Sequence, residues 1–322
     1  SRRRSAEETM NQMNRLMRRG LVDRDKRLSF QFDGQRLEGH PGDTLAAALL
    51  ANGIRLVGRS FKYHRPRGIL TAGSEEPNAL VELRTGARRE PNTRATTIEL
   101  YDGLDAASQN RWPSLKYDVL SVNQLASPIF GAGFYYKTFM WPASFWEKLY
   151  EPMIRRAAGL GYPSKQPDPD TYEKANAFCD VLIVGAGAAG LSAALSAARA
   201  GARVILCDED FVLGGRLLAE RGEIDGQSTQ AWAAGAIAEL QSFPDCRILQ
   251  RTTVLGVYDG GVYAAVERVS DHLPEPAPYT PRQRLWRIAA KQSVVCPGAF
   301  ERPLIFGDND RPGVMLASAV RT

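Results

Sequence analysis

Three glycines and one carboxylate are the residues whose types and spacing can do chemistry. Gly185, Gly187 and Gly190 stand in the run Gly185-Ala186-Gly187-Ala188-Ala189-Gly190, and Asp208 follows 18 residues after the last of them. Without a Cβ, the backbone can turn tightly at Gly185, approach a diphosphate at Gly187, and let a helix settle on a sheet at Gly190. A carboxylate at Asp208 can accept hydrogen bonds from both hydroxyls of an adenosine ribose, and it disfavours a 2′-phosphate. The chemistry implied is capture of a dinucleotide with an unphosphorylated ribose, NAD or FAD. The pattern does not separate those two, and it disfavours NADP.

These residues need particular elements to position them, and the sequence supplies them in order. Val181-Leu182-Ile183-Val184 reads as a short strand of a buried parallel sheet. A helix pattern runs from Leu191 to Ala200, Gly201 ends it, and Val204-Ile205-Leu206-Cys207 reads as a second strand closed by Asp208, with Glu209 and Asp210 behind. This is a complete βαβ unit of the Rossmann type, whose helix N-terminus offers free N–H groups and a positive dipole end to phosphates. Downstream, Gly214-Gly215-Arg216 lets the chain curl over a cofactor. Arg216 either reaches a phosphate or is a solvated residue in a surface turn. The backbone amide near Val254, on the strand Val254–Tyr258, is placed to meet an adenine edge. Strand Ser293–Cys296 leads into a turn at Gly298. The cofactor-binding set is therefore Gly185, Gly187, Ala189, Gly190, Asp208, Glu209, Asp210, Gly215, Arg216, Val254 and Gly298. No catalytic constellation accompanies it. His40, His64 and His272 have no Ser or Cys partner in a recognisable motif and no metal-ligand spacing, and read as surface or hydrogen-bonding residues.

The remainder of the chain divides by pattern. Leu28–Phe32 alternates apolar and polar, Asp33-Gly34 is a two-residue hairpin turn, and Gln35-Arg36-Leu37 returns. Asp43 or Thr44 caps a helix of Ala and Leu that Gly53 ends. With Val81–Leu83 as a further strand, residues 28–105 read as a β-grasp-like domain. Residues 106–175 are an aromatic-rich connector ending in a polar, proline-rich linker. The stretch 101–150 holds 12 of the 28 aromatics, enough to pack between two domains or to dock a cofactor or a further subunit. Residues 176–322 form the dinucleotide domain. The net charge of +5 is carried by a basic arm, residues 1–27. The arm is read as a solvated or partner-bound tail, with neither nucleic acid nor membrane as partner. No apolar h-region follows its arginines, as a signal peptide requires. Val181–Ala198 is rejected as a membrane span because it divides into strand, turn and helix. The four cysteines (Cys179, Cys207, Cys246, Cys296) form no CxxC and leave the first 178 residues empty. That argues against a disulfide framework, a structural zinc and an iron–sulfur cluster, and the cytoplasm is the expected compartment.

Several strings resemble the alpha subunits of heterotetrameric sarcosine oxidases: Gly58-Arg59-Ser60-Phe61-Lys62-Tyr63-His64-Arg65-Pro66-Arg67-Gly68, Glu75-Glu76-Pro77-Asn78-Ala79-Leu80-Val81, Ser108–Ser114, Gly133–Pro142, Gly298–Pro303 and Asn309–Met315. The match runs from about residue 20. The resemblance implies an N-terminal domain similar to a plant-type ferredoxin. Its cluster loop here carries Thr71, Ser74, Glu75 and Asn78, which cannot hold iron. It also implies NAD at the GxGxxG domain, FAD on a catalytic beta subunit, FMN at the subunit interface, and gamma and delta subunits as further partners. A folate-binding domain would follow a dinucleotide domain left incomplete at Thr322. Cys296-Pro297 departs from the Ala-Thr usual at such turns.

The expected fold is thus α/β, a cluster-less ferredoxin-like β-grasp domain followed by a Rossmann-like domain. The expected function is the NAD-binding alpha subunit of a sarcosine oxidase, with oxidative demethylation of sarcosine to glycine, peroxide formation and one-carbon transfer to tetrahydrofolate. The rival readings are a stand-alone FAD-dependent oxidoreductase, a subunit of an opine or cyanide-forming glycine oxidase, and a structural assembly module with an empty cofactor pocket.

Overall fold

The structure is a computed structural model that describes residues 12, 14–16, 20–128, 131, 133 and 139–322. Arg2, Arg3, Arg4, Arg18 and Arg19 of the basic arm, and Phe130, Phe134, Tyr135 and Tyr136 of the aromatic stretch, lie outside the described residues. The chain forms two compact units, Ser1–Pro169 with Arg302–Val320, and Asp170–Glu301 with Arg321–Thr322.

The first unit is built on strands β1 (Leu28–Phe32), β2 (Gln35–Gly39), β3 (Gly58–Arg59), β4 (Pro66–Arg67), β5 (Leu80–Leu83), β6 (Glu90–Arg94) and β7 (Asp105–Ser108), with helix α1 (Leu45–Ala51). Its five-stranded sheet has the order β2-β1-β7-β5-β6, and β1 and β7 are parallel at its centre. Strand alternation puts Phe30 and Phe32 into the core while Gln31 faces out. The hairpin turn has positive φ at both Asp33 and Gly34 (51° and 77°), as the right-handed twist of a two-residue connection demands. The Asp33 carboxylate then accepts from the Ser108 amide and hydroxyl at 2.8 and 2.7 Å, fastening β7 to the turn. Thr44 caps α1 by accepting from the Ala47 amide at 3.1 Å, and Gly53 follows with φ +79°. Leu45, Ala48 and Leu49 bury one face of α1 among Val57, Val81 and Leu104. Within the basic arm, Arg15 grips the buried Asp43 carboxylate with two bonds, of 3.0 and 2.6 Å. That end of the arm is thus anchored to the unit.

The second unit contains β8 (Tyr172–Val184), β9 (Val204–Cys207), β10 (Glu223–Ile224), β11 (Gln227–Ser228), β12 (Cys246–Leu249), β13 (Thr252–Tyr258), β14 (Val262–Arg268) and β15 (Gln283–Val295). Between them lie the helices Ala188–Arg199 and Thr229–Ser242. Its sheet has the order β12-β9-β8-β15-β14-β13, parallel from β12 to β15 and antiparallel from β15 to β13. Ile183, Val204 and Leu206 face the two helices, burying Leu191, Ala194, Ala233 and Leu240. Leu182, Ile205 and Cys207 face the other way, into a cluster with Trp286 and Ile288. Both faces are apolar, as a parallel sheet requires. Among the described residues no helix is long and apolar enough to cross a membrane. The stretch that could pass for a span is the end of β8, a turn and a helix.

Two features differ from the sequence-based outline. β8 and β15 are both far longer than the apolar cores that signal them. The polar first half of β8 is held in register by pairing with Gln283–Ala289 and by the Glu173–Arg284 ion pair at 2.7 Å. The second difference is Arg302–Val320, assigned by sequence to the dinucleotide domain but packed with the first unit. Arg65 binds Asp310 through Nε and Nη2 at 2.7 and 2.8 Å, and Arg67 binds Asp310 at 2.8 Å. The Leu316 amide donates to the Leu70 carbonyl at 2.9 Å, and Met315 packs on the first core. The Arg65 hydrogen bonds, with the charges of Arg67 and Arg65, outweigh desolvation and hold the Asp310 carboxyl down from 3.8 to about 2. A depressed carboxyl stabilises the fold above its ordinary value and loses that contribution as the pH falls through its folded value. The stability gap between the native chain and Asp310→Asn, read by denaturant titration, should therefore close as the pH is lowered from about 4 to about 2. A gap that stays constant over that range contradicts the pairing.

Candidate functional site

The site is assembled where β8, β9 and β15 end together. The Gly185 amide donates to the Cys207 carbonyl at 2.8 Å, and the Cys296 amide donates to the Val184 carbonyl at 2.7 Å. Gly185 has φ +98°, and a Cβ there would overlap the Cys296 carbonyl. A Cβ on Gly190 would overlap the Gly185 carbonyl oxygen, so the helix can lie this close to the strand end only with glycine there. Gly187 is different, because a Cβ on it would meet nothing within 4 Å. It borders open space.

Gly187 is the N-cap of helix Ala188–Arg199 and brings no side-chain cap. The ladder begins with the Leu191 amide donating to the Gly187 carbonyl at 2.9 Å. The amides of Ala188, Ala189 and Gly190 thus have no partner within the helix, and Ala188 and Ala189 are exposed. Amides of this kind beside an open notch suit a diphosphate. Across the notch, a Cβ on Gly215 would stand 3.3 Å from the Gly187 Cα, so the Gly214-Gly215 turn closes over it. Arg216 neither reaches into the notch nor stands free. Its guanidinium donates to the Ala299 carbonyl at 2.8 Å and ties this turn to the turn that holds Gly298 (φ +73°).

Asp208 stands at the end of β9, half-buried. Its carboxylate accepts from the Ala186 amide at 2.5 Å and from the Asp210 amide at 2.9 Å. Burial pushes its pKa above the ordinary carboxylate value, opposed by those two amides and reinforced by the Glu209 charge. Its backbone is bonded too: the Asp208 amide donates to Leu249 at 3.0 Å, and the Thr252 amide donates to the Asp208 carbonyl at 2.7 Å. Arg251 donates through its amide to the Asp210 carbonyl at 3.1 Å, and Arg268 donates to the Glu209 carbonyl at 2.5 Å. The acidic corner is therefore braced by the β12–β13 turn. Val254 lies two residues beyond Thr252 on β13, opposite Ala265, half-buried against the cluster that contains Cys207. Gly185, Ala186, Gly187, Gly190, Asp208 and Gly215 converge on one notch. Sequence reasoning missed the Cys296 carbonyl, Thr252 and Arg268, whose parts depend on backbone geometry that no residue type announces.

Other groups are committed elsewhere. Burial raises the Cys207 and Cys179 thiols to about 12 and about 11, so neither is a nucleophile at neutral pH. All four cysteines are unpaired. His64 is buried, with Nδ1 2.7 Å from the Asp118 carboxylate, and that carboxylate also accepts from the Trp112 and Leu120 amides. This buried pair braces the β3–β4 hairpin. His40 holds the Lys26 carbonyl at 2.8 Å.

In the first unit, the loop expected to correspond to a cluster loop offers no thiolate. Its centre is the carboxylate of Glu76, 1% exposed. That carboxylate accepts from the amides of Leu70, Thr71, Asn78 and Ala79 and from the Thr71 hydroxyl, at 2.7 to 3.1 Å. Among the described residues no group of three or more His, Cys, Asp or Glu side chains can hold a metal ion. These residues do not fit an iron–sulfur cluster, and the domain is cluster-less.

Residues 25–111 match the family model described as a 2Fe-2S iron-sulfur cluster binding domain, and residues 180–253 match one described as FAD dependent oxidoreductase. The chain is 62% identical over 307 residues to the alpha subunit of sarcosine oxidase from Rhizobium meliloti, covering 95% of this chain and 31% of that protein. It is 40% identical over 306 residues to the alpha subunit of sarcosine oxidase from a Corynebacterium species, covering 94% and 27%. A component of the opine oxidase of Agrobacterium tumefaciens is 28% identical over 149 residues, covering 45% and 28%. Among solved structures, L-proline dehydrogenase from P. horikoshii superposes with a TM-score of 0.56 at 21% identity, covering 90% of this chain and 44% of that one, a likeness of fold. The chain spans about a third of the length of the curated sarcosine oxidase subunits it matches.

The two kinds of glycine separate in an experiment. Gly187→Val should fold with a stability loss of about 1 kcal/mol or less, since its side chain enters open space, yet abolish dinucleotide binding. Gly190→Ala should cost about 1–3 kcal/mol of stability, because its methyl meets the Gly185 carbonyl. Calorimetric titration with NAD and urea unfolding read the two effects. Full binding by Gly187→Val contradicts the assignment of the notch.

Proposed function

We propose that the chain, which is similar to sarcosine oxidase alpha subunits, is the dinucleotide-binding part of an oxidoreductase subunit, with NAD as the molecule it holds. The observation that supports this most strongly is the open notch at Gly187, flanked by three unpartnered helical amides and closed at one end by the Asp208 carboxylate. The amides of Ala188, Ala189 and Gly190 would take the diphosphate, and Asp208 the adenosine ribose. The Gly214-Gly215 turn, tied down by Arg216, would cover the diphosphate, and the backbone near Val254 would meet the adenine. A bound dinucleotide supplies hydride-transfer chemistry. This chain's residues bind and orient it, and among the described residues none forms an acid–base set for an amine substrate.

Substrate oxidation is accordingly assigned to a partner chain, a flavin-bearing beta subunit, in a complex completed by gamma and delta subunits. FAD and FMN belong to that complex, FMN at a subunit interface. The overall reaction is oxidative demethylation of sarcosine to glycine, with peroxide as a product and the one-carbon unit passed to tetrahydrofolate. The cytoplasm is the compartment proposed. A second reading, FAD in the same notch, is favoured by the family model matched over residues 180–253.

Denaturing the purified chain and analysing what it releases discriminates the two. NAD should be recovered and the extract should lack flavin absorbance, and sarcosine added to the chain alone should yield no peroxide. Stoichiometric flavin in the extract would overturn the choice of NAD. Peroxide formation without a partner would overturn the division of labour.

A further inference from the structure

The cluster-less domain retains an organised loop in the region that its family model associates with an iron–sulfur cluster, and the structure shows what organises it. Glu76 is a buried anion ringed by four backbone amides and a hydroxyl. Hydrogen bonds to a charged acceptor are about twice as strong as those between neutral groups. The loop is drawn inward around one carboxylate, much as a cluster with its thiolates would draw it. Arg94 holds the backbone of the same residue by donating from Nε to the Glu76 main-chain carbonyl at 3.2 Å.

The outer surface of the same loop carries the segment Arg302–Val320. Leu70, whose amide binds the Glu76 carboxylate, offers its carbonyl to the Leu316 amide at 2.9 Å. A Cβ on Gly68 would stand 2.7 Å from the Pro312 Cα, so the two backbones are in contact. Leu316 and Ala319 are buried on this surface, and Asp310 holds both Arg65 and Arg67. The segment arrives here directly from the turn Pro297–Ala299, whose last carbonyl receives Arg216.

We propose that Glu76 has replaced the metal cluster as the organising centre of this loop, and that the loop so formed is the seat of the segment Arg302–Val320. The domain thereby works as an anchor for the chain leaving the dinucleotide site and carries no electrons. The dependence runs one way. Glu76 preforms the loop, and the segment docks on it. Nothing in the Glu76 ring comes from residues 302–320, so the loop should keep its shape when the segment is loosened.

Hydrogen exchange of the whole protein, read peptide by peptide, tests this order. Glu76→Gln replaces an acceptor oxygen by an NH2 that faces amide donors. It should speed exchange about tenfold or more both at residues 70–79 and at 314–320, while the distant hairpin 28–39 keeps its protection. Asp310→Asn should speed exchange at 314–320 alone. Thr71→Val, which removes one donor and keeps the shape, should act on both segments as Glu76→Gln does, but less, and it serves if Glu76→Gln does not fold. Two results overturn the proposal: native protection at 314–320 when the Glu76 ring is broken, or exchange at 70–79 in Asp310→Asn as fast as in the ring variants.

Discussion

The close approach of three backbone segments at Gly185 and Gly190 is the constraint on which the site depends. The Gly185 carbonyl lies where a side chain on residue 190 would be, and the Cys296 carbonyl lies where one on residue 185 would be. Main chain therefore meets main chain at the ends of β8 and β15, and the helix starts close above them. That contact sets the helix axis against the sheet and leaves its first amides facing the notch at Gly187. A methyl group at either position would push the helix off the strand end and aim those amides elsewhere. The two apolar faces of the sheet supply the adhesion that holds this arrangement, through Leu191 and Ala194 on one side and Ile205 and Ile288 on the other.

Asp208 shows the opposite tension. Its carboxylate is desolvated, which raises its pKa, and two amides offset part of that cost. Each carboxylate oxygen still has lone-pair capacity, since an ionised carboxylate can accept about four hydrogen bonds. A half-buried anion with spare acceptors suits a sugar that brings hydroxyl donors and no phosphate at that point. Under the proposed assignment the same group would disfavour a phosphorylated ribose, because a second anion beside it would be repelled in a partly desolvated setting.

Much of this was legible in the sequence, for reasons that can be located. The hairpin at Asp33-Gly34, the helix capped by Thr44 and the strand–glycine–helix–strand run to Asp208 are all coded by neighbours within a few residues. Periodicity and turn chemistry report such neighbours directly. The Thr229–Ser242 helix went unread although Ser228 caps it, because its alanines give only a faint apolar stripe. The start of β8, residues 172–175, reads as linker, since its strand character comes from pairing with β15 more than 100 residues away. The same distance hides the return of Arg302–Val320, where Arg65 and Asp310 are 245 residues apart. Glu76 was hidden for another reason. An isolated glutamate in a loop reads as solvated, and only burial among backbone amides reveals it as a hub. For Arg216 the sequence leaves a phosphate or solvent as partner, and the partner in the structure is the Ala299 carbonyl, which no residue type announces.

Both units gather backbone amide donors at one point. In the second unit the amides at the helix start are free to receive a ligand. In the first they are saturated by the chain's own carboxylate. Dinucleotide capture by the free amides is tested most directly by an NMR titration of protein carrying 15N-alanine, in which Ala186, Ala188 and Ala189 report from the notch. NAD should shift these three amides at concentrations where NADP leaves them in place. Equal shifts with both nucleotides, or saturation by NAD that moves only alanines outside the notch, would contradict the account.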